Sequence, residues 1–450
     1  MENKTQIQLE KLLQALVKHD TKEIDNIYGH VQPIDLALEI EELEDNQLEY
    51  LCNHIDDEKL AEILEESDEE LQTDIIDCLD NQRILRLFNH LPKDIIVDIL
   101  GELPIGKRKQ LMTLMKTDDQ KIIEQLLGYA EDSAGGLMTT EYIALNDSLT
   151  MINVLKKIKE IGPKTEVIET IFVLNHKKQL IGTADLRDIL VSDEDTTLRE
   201  IMDDQIISVF PETDQEEVSL LVSKYDLATI PVVNKNQALL GIITVDDIID
   251  VIQEEHTEDM LQMHGVSKEE SLDSTLFESI QMRLPWLVVN LATAFLASFT
   301  VKMFESTIEQ IVALSATMTI VTGMGGNAGS QTLSIMIRSI ALGEVHFKDC
   351  FPALIKEILL GIINGLVTGV ITGFIVYVLY GNFYLGVIIC IAMIGNLVVS
   401  GFFGFVIPVV LKALHADPAL ASSIFLTTAT DVLGFFIFLE LANLFLPFLV

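Results

Sequence analysis

Partway along the chain the residues change the solvent they suit, and this limits the fold more than any motif does. Residues 281–450 hold eight acids and six bases among long apolar runs. Residues 1–280 hold 61 acids and 24 bases, a net charge of −37 within a total of −39. An acidic soluble module therefore precedes a nearly uncharged membrane module, and a length of 450 residues leaves room for about three domains. Phosphate would be repelled, so nucleic acid is excluded as a partner and cations are the natural ligands. Cys52, Cys78, Cys350 and Cys390 are scattered with no Cys-x-x-Cys pair, which argues against a zinc site or a disulfide framework. Met1 to Asp20 is polar and helical in pattern rather than a signal peptide, which places the N-terminal module in the cytosol.

Residues 1–130 read as an acidic, all-α domain. Apolar residues recur at helical spacing (Leu60, Ile63, Leu64; Leu71, Ile75, Ile76, Leu79). A weak echo runs through PIDLALEIEEL, EKLAEILEES and KDIIVDILGEL, which suggests stacked helices in a small superhelical solenoid. From 137 two copies of an α+β pattern follow, 137–200 and 201–256. Each opens on a methionine (Met138, Met202) and a short strand, and closes on two strands and a helix after Gly182 or Gly241.

These copies resemble tandem cystathionine-β-synthase (CBS) domains, which often sense nucleotides. The second copy has the closing pattern complete in Gly241, Thr244 and Asp247. A hydroxyl and a carboxylate on a first helical turn suit a ribose and phosphate at the helix N-terminus. In the first copy Gly182 and Asp188 are present, but Asp185 replaces the hydroxyl, so Arg187 or a metal would have to offset two carboxylates. Arg187, Asp188 and Thr244 are the candidate nucleotide contacts.

Residues 245–279 read as a long acidic linking helix and its connection to the membrane part. Its helical pattern runs from Thr244 to about Gly265. It carries Asp246, Asp247, Asp250, Glu254, Glu255, Glu258 and Asp259, and Asp247, Asp250, Glu254 and Glu258 share one face. Most charge runs are solvated faces. A stripe of like charge with only His256 to offset it repels itself, however, and a divalent cation or a basic partner would relieve it. Glu216, Glu217 and Asp226 add to the same charge.

Residues 281–450 offer five apolar spans, about 284–304, 311–338, 352–380, 384–412 and 420–448. With the N-terminal module inside, Arg283, Arg338, Lys348, Lys356 and Lys412 lie on the cytosolic side and only Lys302 outside. This fits the positive-inside rule and puts the C-terminus outside. Asp431 falls near the middle of the last span with no base nearby, a position that costs roughly 3 kcal/mol on insertion scales. The plain reading is a protonated carboxyl bonded to another span; the functional one is a cation site in a pore. Thr427, Thr428 and Thr430 surround it. Asn327 and Gln331 lie four apart in GMGGNAGSQT, and Asn364 and Asn396 add amides in two further spans. Oxygen ligands suit magnesium, calcium or manganese. A two-fold dimer would bring two copies of Asp431 to one axis, where they could hold a hydrated ion.

Taken whole, an acidic helical domain, tandem CBS domains, an acidic linking helix and spans bearing GGNAGSQ and TTATD resemble the MgtE-type magnesium transporters or channels. The resemblance implies a multi-domain, multi-pass protein of the cell (inner) membrane with a five-helix transmembrane domain, working as a homodimer among membrane lipids. It implies a pore on the dimer axis, with Asp431 as the pore aspartate, Gly325, Gly326 and Asn327 lining it, and Thr428 beside them. It implies cytosolic magnesium sites at Glu216, Asp226, Asp247, Asp250, Glu254, Glu255, Glu258 and Asp259, with Asp94 and Asp98 as the N-domain acids that bridge to Asp247. Some members bind ATP between the CBS domains; here Thr170 and Leu227 hold the positions expected to be aromatic around adenine, which weighs against ATP. The expected function is magnesium uptake, closed by magnesium bound to the cytosolic acids. The alternatives are transport of another divalent cation, such as cobalt or manganese, and a membrane-anchored nucleotide sensor. No residue set suggests an enzyme.

Overall fold

The computed structural model describes residues 31–40, 43–165, 167–268, 270–272, 274–345, 350–420 and 422–449. The expected polar helical start, Met1 to Asp20, lies outside them, as do Lys348 and Asp349. The chain divides into two compact units, one ending at Val251 and the other beginning at Ile252.

The first unit opens with a run of short helices: α1 (Pro33–Ile40), α2 (Asp45–His54), α3 (Asp57–Glu65), α4 (Glu69–Asp77), α5 (Asn81–Leu87), α6 (Lys93–Glu102), α7 (Ile105–Leu114) and α8 (Thr117–Leu126). Their first residues recur every 12 positions. So do the innermost side chains, Leu51, Ile63, Ile75, Leu87, Ile99, Leu111 and Ile123, none more than 2% exposed. Acids stop and start the helices: Asp68 accepts from the Leu71 N–H at 2.9 Å and Asp80 from the Arg83 N–H at 2.8 Å. Alternate helices pack on one another, α1 on α3 on α5 on α7 and α2 on α4 on α6 on α8, so the expected solenoid has two layers. The stack brings Cys52 beside Cys78; burial first, then Cys78, pushes the Cys52 thiol up to about 12, so it stays protonated.

The first CBS copy pairs β1 (Ala144–Asn146) parallel to β2 (Thr170–Leu174), and β2 antiparallel to β3 (Leu180–Asp185). In the second copy β4 (Thr229–Val233) pairs antiparallel with β5 (Leu239–Thr244), and the segment expected as its first strand is reduced to one bridge, Val209 to Val232. Proline explains the difference. In the first copy the Phe172 N–H donates to the Ile143 carbonyl at 2.9 Å; the corresponding residue of the second copy is Pro231, which has no N–H to give. The copies are also intertwined. Thr139, ahead of the first copy, exchanges hydrogen bonds with Ile242 of the second, and Asp203, ahead of the second, does so with Thr183 of the first. A Cβ on Gly241 would lie 2.8 Å from the Met138 sulfur, and one on Gly182 would lie 2.7 Å from the Met202 sulfur. Each leading methionine therefore seats on the glycine of the other copy. Helices α9 (Ala134–Leu137), α10 (Met151–Ile161), α11 (Leu186–Val191), α12 (Leu198–Ile201) and α13 (Gln215–Tyr225) complete the pair.

The linking helix α14 (Val245–Met263) leaves β5 directly. It stops at Gly265, whose φ of +71° suits glycine, with the Val266 N–H closing back on the Leu261 carbonyl at 3.1 Å. The second unit continues with α15 (Leu276–Met303), α16 (Glu305–Gln310), α17 (Ala313–Ala341), α18 (Cys350–Tyr380), α19 (Phe383–Ala413), α20 (Ser422–Leu444) and α21 (Leu446–Leu449). Four of these, α15, α18, α19 and α20, are long and apolar enough to cross a membrane. The expectation of five apolar spans is corrected at α17. It is one unbroken helix of 29 residues, but its Thr, Ser, Gly, Asn and Gln residues keep it out of that group.

Helices α18 and α19 form the tightest pair. Gly361, Gly365, Gly369 and Gly373 recur one turn apart on α18, and a Cβ on any of them would lie 2.5–2.8 Å from backbone atoms of α19. Backbone cannot step aside as a side chain can. Gly365→Val should therefore cost at least about 1–3 kcal/mol of stability, read as a lowered melting temperature of the detergent-purified chain. An unchanged melting temperature would contradict this packing.

Candidate ion path and acidic surfaces

Helix α17 divides the GGNAGSQ segment between two faces. Gly325 and Gly329 are buried; Cβ atoms there would strike the Asn396 and Leu426 side chains. Gly323 and Gly326 look into open space, and Thr319, Gly323, Asn327, Gln331, Ser334 and Arg338 are exposed along one stripe stepping four, four, four, three and four. A polar stripe of that length is unsuited to lipid and fits a water path or a second copy of the chain. Among the residues expected to line a path, Asn327 and Gly326 lie towards the open face, while Gly325 packs. Asp431, on α20, is half-buried. The Thr428 hydroxyl is turned back on its own helix, donating to the Ile424 carbonyl at 2.7 Å, and Thr427 and Thr430 do the same. Asn396, expected among the amides of a path, is fully buried. On the packed side of α17 the Thr332 hydroxyl donates to Glu357 on α18 at 2.9 Å.

The cytosolic acids gather into two groups. In the first unit, Asp98 on α6 is pushed up to about 7 by the protein packed round it, then by Glu131, Glu69 and Asp247. Its side chain still reaches solvent, so the direction matters here rather than an energy. Glu65 on α3 rises for the same kinds of reason: burial first, then Glu66, Glu62, Glu141 and Asp246. N-domain acids thus face the acids at the start of the linking helix. Asp247 is raised by burial, and accepts from the Thr244 hydroxyl at 2.5 Å. Asp94 is buried, and it is Asp98 that lies in reach of Asp247. Lys93 gives some relief, 3.8 Å from Asp119 and 4.0 Å from Glu141.

The second group lies in the second unit. Asp259 is pushed up to about 6 by burial, then by Asp417, Glu255 and Glu258. Asp417, in the turn between α19 and α20, is raised by burial, with Glu258 adding to it. Lys268 meets Glu258 at 3.3 Å. Beside these acids the Ser423 hydroxyl donates to the Met263 carbonyl at 2.5 Å, and Met263 packs with Leu333, Ile337, Ala419 and Leu426. The end of the linking helix is therefore seated on α17 and α20.

Sequence reasoning missed Glu65, Glu69, Glu131 and Glu141, because only the fold brings Glu65 to Asp246, Glu69 and Glu131 to Asp98, and Glu141 to Glu65. It noted Asp417 only as a polar break. Glu216 and Asp226 stand exposed at opposite ends of α13, roughly 15 Å apart along its axis, so they cannot share one ion within a chain. Asp250 and Glu254 are exposed on α14. Among the described residues no three His, Cys, Asp or Glu side chains converge closely enough to hold a metal ion. In the candidate nucleotide site the Thr244 hydroxyl is 1% exposed and committed to Asp247, while Arg187 and Asp188 are exposed.

A regulatory CBS module, an acidic linking helix seated on a bundle, and a polar stripe in apolar helices define a membrane transport protein for cations. Comparisons narrow the class. Residues 318–441 match the divalent cation transporter domain MgtE, 31–132 the MgtE intracellular N domain and 198–254 a CBS domain. The magnesium transporter MgtE of Bacillus subtilis is 30% identical over 358 residues, covering 80% of this chain and 79% of that one. The Thermus thermophilus protein of the same name is 34% identical over 346 residues, covering 75% of each. A crystal structure of the cytosolic domain of the Mg2+ channel MgtE in complex with ATP is 33% identical, with a TM-score of 0.52, over 54% of this chain and 99% of that one. The soluble part of a magnesium transporter is 27% identical, with a TM-score of 0.53, over 56% of this chain and 99% of that one. The chain belongs to the MgtE family of magnesium transporters.

The raised carboxyls fix the sign of a pH effect. Unfolded Asp titrates near about 3.9, whereas folded Asp98 and Asp259 titrate at about 7 and about 6. Their contribution to stability is full below the unfolded value and is lost as pH rises through 6 to 7. Without divalent cations, the purified chain should melt at a higher temperature at pH 5.5 than at pH 8. Magnesium should raise the melting temperature more at pH 8 than at pH 5.5. Melting temperatures that fall from pH 8 to 5.5, or a magnesium effect independent of pH, would contradict this.

Proposed function

We propose that the chain is a homodimeric, multi-pass protein of the cell (inner) membrane that takes up magnesium through a path on the dimer axis. Magnesium bound to its cytosolic acids closes the path. The observation that carries the reading is the open polar stripe on α17, with Asn327 at its centre, in a bundle whose other long helices are apolar. In lipid that stripe is costly; facing its copy across a two-fold axis it lines a wet path. Helix α17 then spans as the fifth transmembrane helix, with the N-terminal domains in the cytosol and the C-terminus outside. Asp431 from each subunit holds the ion through its waters, since magnesium gives up its hydration shell reluctantly. Entry is driven by the membrane potential, about 2.3 kcal/mol per charge per 100 mV.

The gate follows from the two acidic groups. At low magnesium Asp98 repels Asp247 and Glu65 repels Asp246, while Asp259 repels Asp417, Glu255 and Glu258. Ions entering between them replace repulsion by bridging and hold the linking helix where Met263 and Ser423 meet. ATP has no required part in this reading, because the Thr244 hydroxyl is already taken by Asp247.

The test is magnesium uptake into proteoliposomes holding the full chain. Asp431→Asn should cut uptake at least about 100-fold, in line with the loss of several kcal/mol of charge stabilisation at one site. Uptake by this variant within about twofold of wild type would overturn the path. Uptake of manganese or cobalt in preference to magnesium would keep the path and change its cargo.

A further inference from the structure

One polar side chain in the second unit has no part in the path as described and yet lies directly behind it, on the packed face of α17. Asn396, on α19, is 0% exposed. Its Nδ2 donates to the Val321 carbonyl of α17 at 2.7 Å. That carbonyl is also the helical acceptor for the Gly325 N–H four residues on, so it serves two donors. The Oδ1 atom has no hydrogen-bond partner among the described residues. Two glycines make room for the amide. A Cβ on Gly325 of α17 would lie 2.2 Å from Nδ2, and one on Gly434 of α20 would lie 2.7 Å from Oδ1.

Packing alone does not call for this arrangement. A leucine would fill a similar volume without burying an amide half unsatisfied. What the amide does is touch two helices at once. Gly325 is two residues from Asn327, which places that side chain on the opposite, open face of α17. Gly434 is one turn from Asp431, on the same side of α20. Asn396 thus touches both helices that carry the path, next to their direct contact where Gly329 of α17 seats Leu426 of α20.

We propose that Asn396 is a positioning residue that fixes the separation of Asn327 and Asp431, and thereby which divalent cations pass. The inference rests on the transport reading above. Hydrated magnesium is a compact, rigid octahedron with oxygens about 2.0–2.1 Å from the ion, whereas calcium holds its oxygens more loosely at about 2.3–2.6 Å. The spacing of the groups that meet the hydration shell therefore bears on the choice between them.

The experiment measures magnesium and calcium flux in proteoliposomes for the wild type, Asn396→Ala, Gly325→Ala and the double variant, with melting temperatures of the same samples. Asn396→Ala should change the magnesium-to-calcium flux ratio by about threefold or more, the low end of coupling between contacting residues. Gly325→Ala alone should lose most magnesium flux, since its methyl strikes the amide. The double variant should recover part of that loss, because the atoms it would strike are gone. Gly434→Ala, which presses on the same amide from α20, should also change the ratio, and it serves if Asn396→Ala is recovered poorly. An unchanged ratio in folded Asn396→Ala and Gly434→Ala, or independent losses from Gly325→Ala and Asn396→Ala, would overturn the proposal. A uniform fall in both fluxes would do the same, since that is what lost stability alone produces. A wild type without flux would overturn the transport reading and this inference with it.

Discussion

Carboxylates crowded together in partly buried places, with few bases among them, are the condition on which the rest of the structure depends. Raising a carboxyl to about 7, as at Asp98, or to about 6, as at Asp259, means that the folded chain keeps charges where they are penalised. A structure that stores repulsion this way is poised to respond to whatever neutralises it. Protons do so at low pH. At neutral pH a hydrated divalent cation suits an all-oxygen surface better than a basic peptide would, because the acids sit on several helices rather than along one groove. In the gate proposed above it is the linking helix that would carry the response to the bundle, since its first turn holds Asp246 and Asp247 and its last holds Met263.

The membrane part solves an opposite problem, how to keep polar atoms where lipid would reject them. It does so by sorting. The threonines of α20 turn their hydroxyls to their own helix, Thr332 donates to Glu357, and Asn396 bonds the Val321 carbonyl. Of the described residues, Asn327 and Gln331 on the open stripe of α17 and half-buried Asp431 are among the polar groups left without such a partner within the bundle. The glycines serve this sorting in different ways. On α18 they let backbone meet backbone, on α17 and α20 they make space for one amide, and at Gly323 and Gly326 they leave open space beside α17.

Much of this was legible in the sequence, though unevenly. The charge partition foretold the two modules, and the repeated Gly with its hydroxyl or carboxylate foretold the CBS pair. The solenoid left only a weak echo by eye, although helix starts and core residues recur every 12 positions. Variable polar residues between the anchors hid the period. The intertwining of the CBS copies could not be read, because Met138 and Gly241 meet across more than a hundred residues. Pro231 carried a readable sign that its strand would lack a neighbour. Asn327 and Asp431 stood out as candidates because polar residues are conspicuous in apolar spans. Gly325 was assigned to the same face as its neighbours, and only the helix geometry turns it towards Asn396. Glu65, Glu69, Glu131 and Glu141 were ordinary surface acids until the fold set Glu69 and Glu131 beside Asp98, and Glu141 and Asp246 beside Glu65.

The account's central claim is that one ion is both cargo and gatekeeper. Magnesium flux through the full chain in proteoliposomes, followed while magnesium is titrated on the cytosolic face alone, tests it most directly. Flux should fall as cytosolic magnesium rises under a constant driving force, and the fall should need less magnesium at pH 8 than at pH 6, where protons already occupy the raised carboxyls. Flux that ignores cytosolic magnesium would contradict the gate and leave the two acidic groups without the role assigned to them.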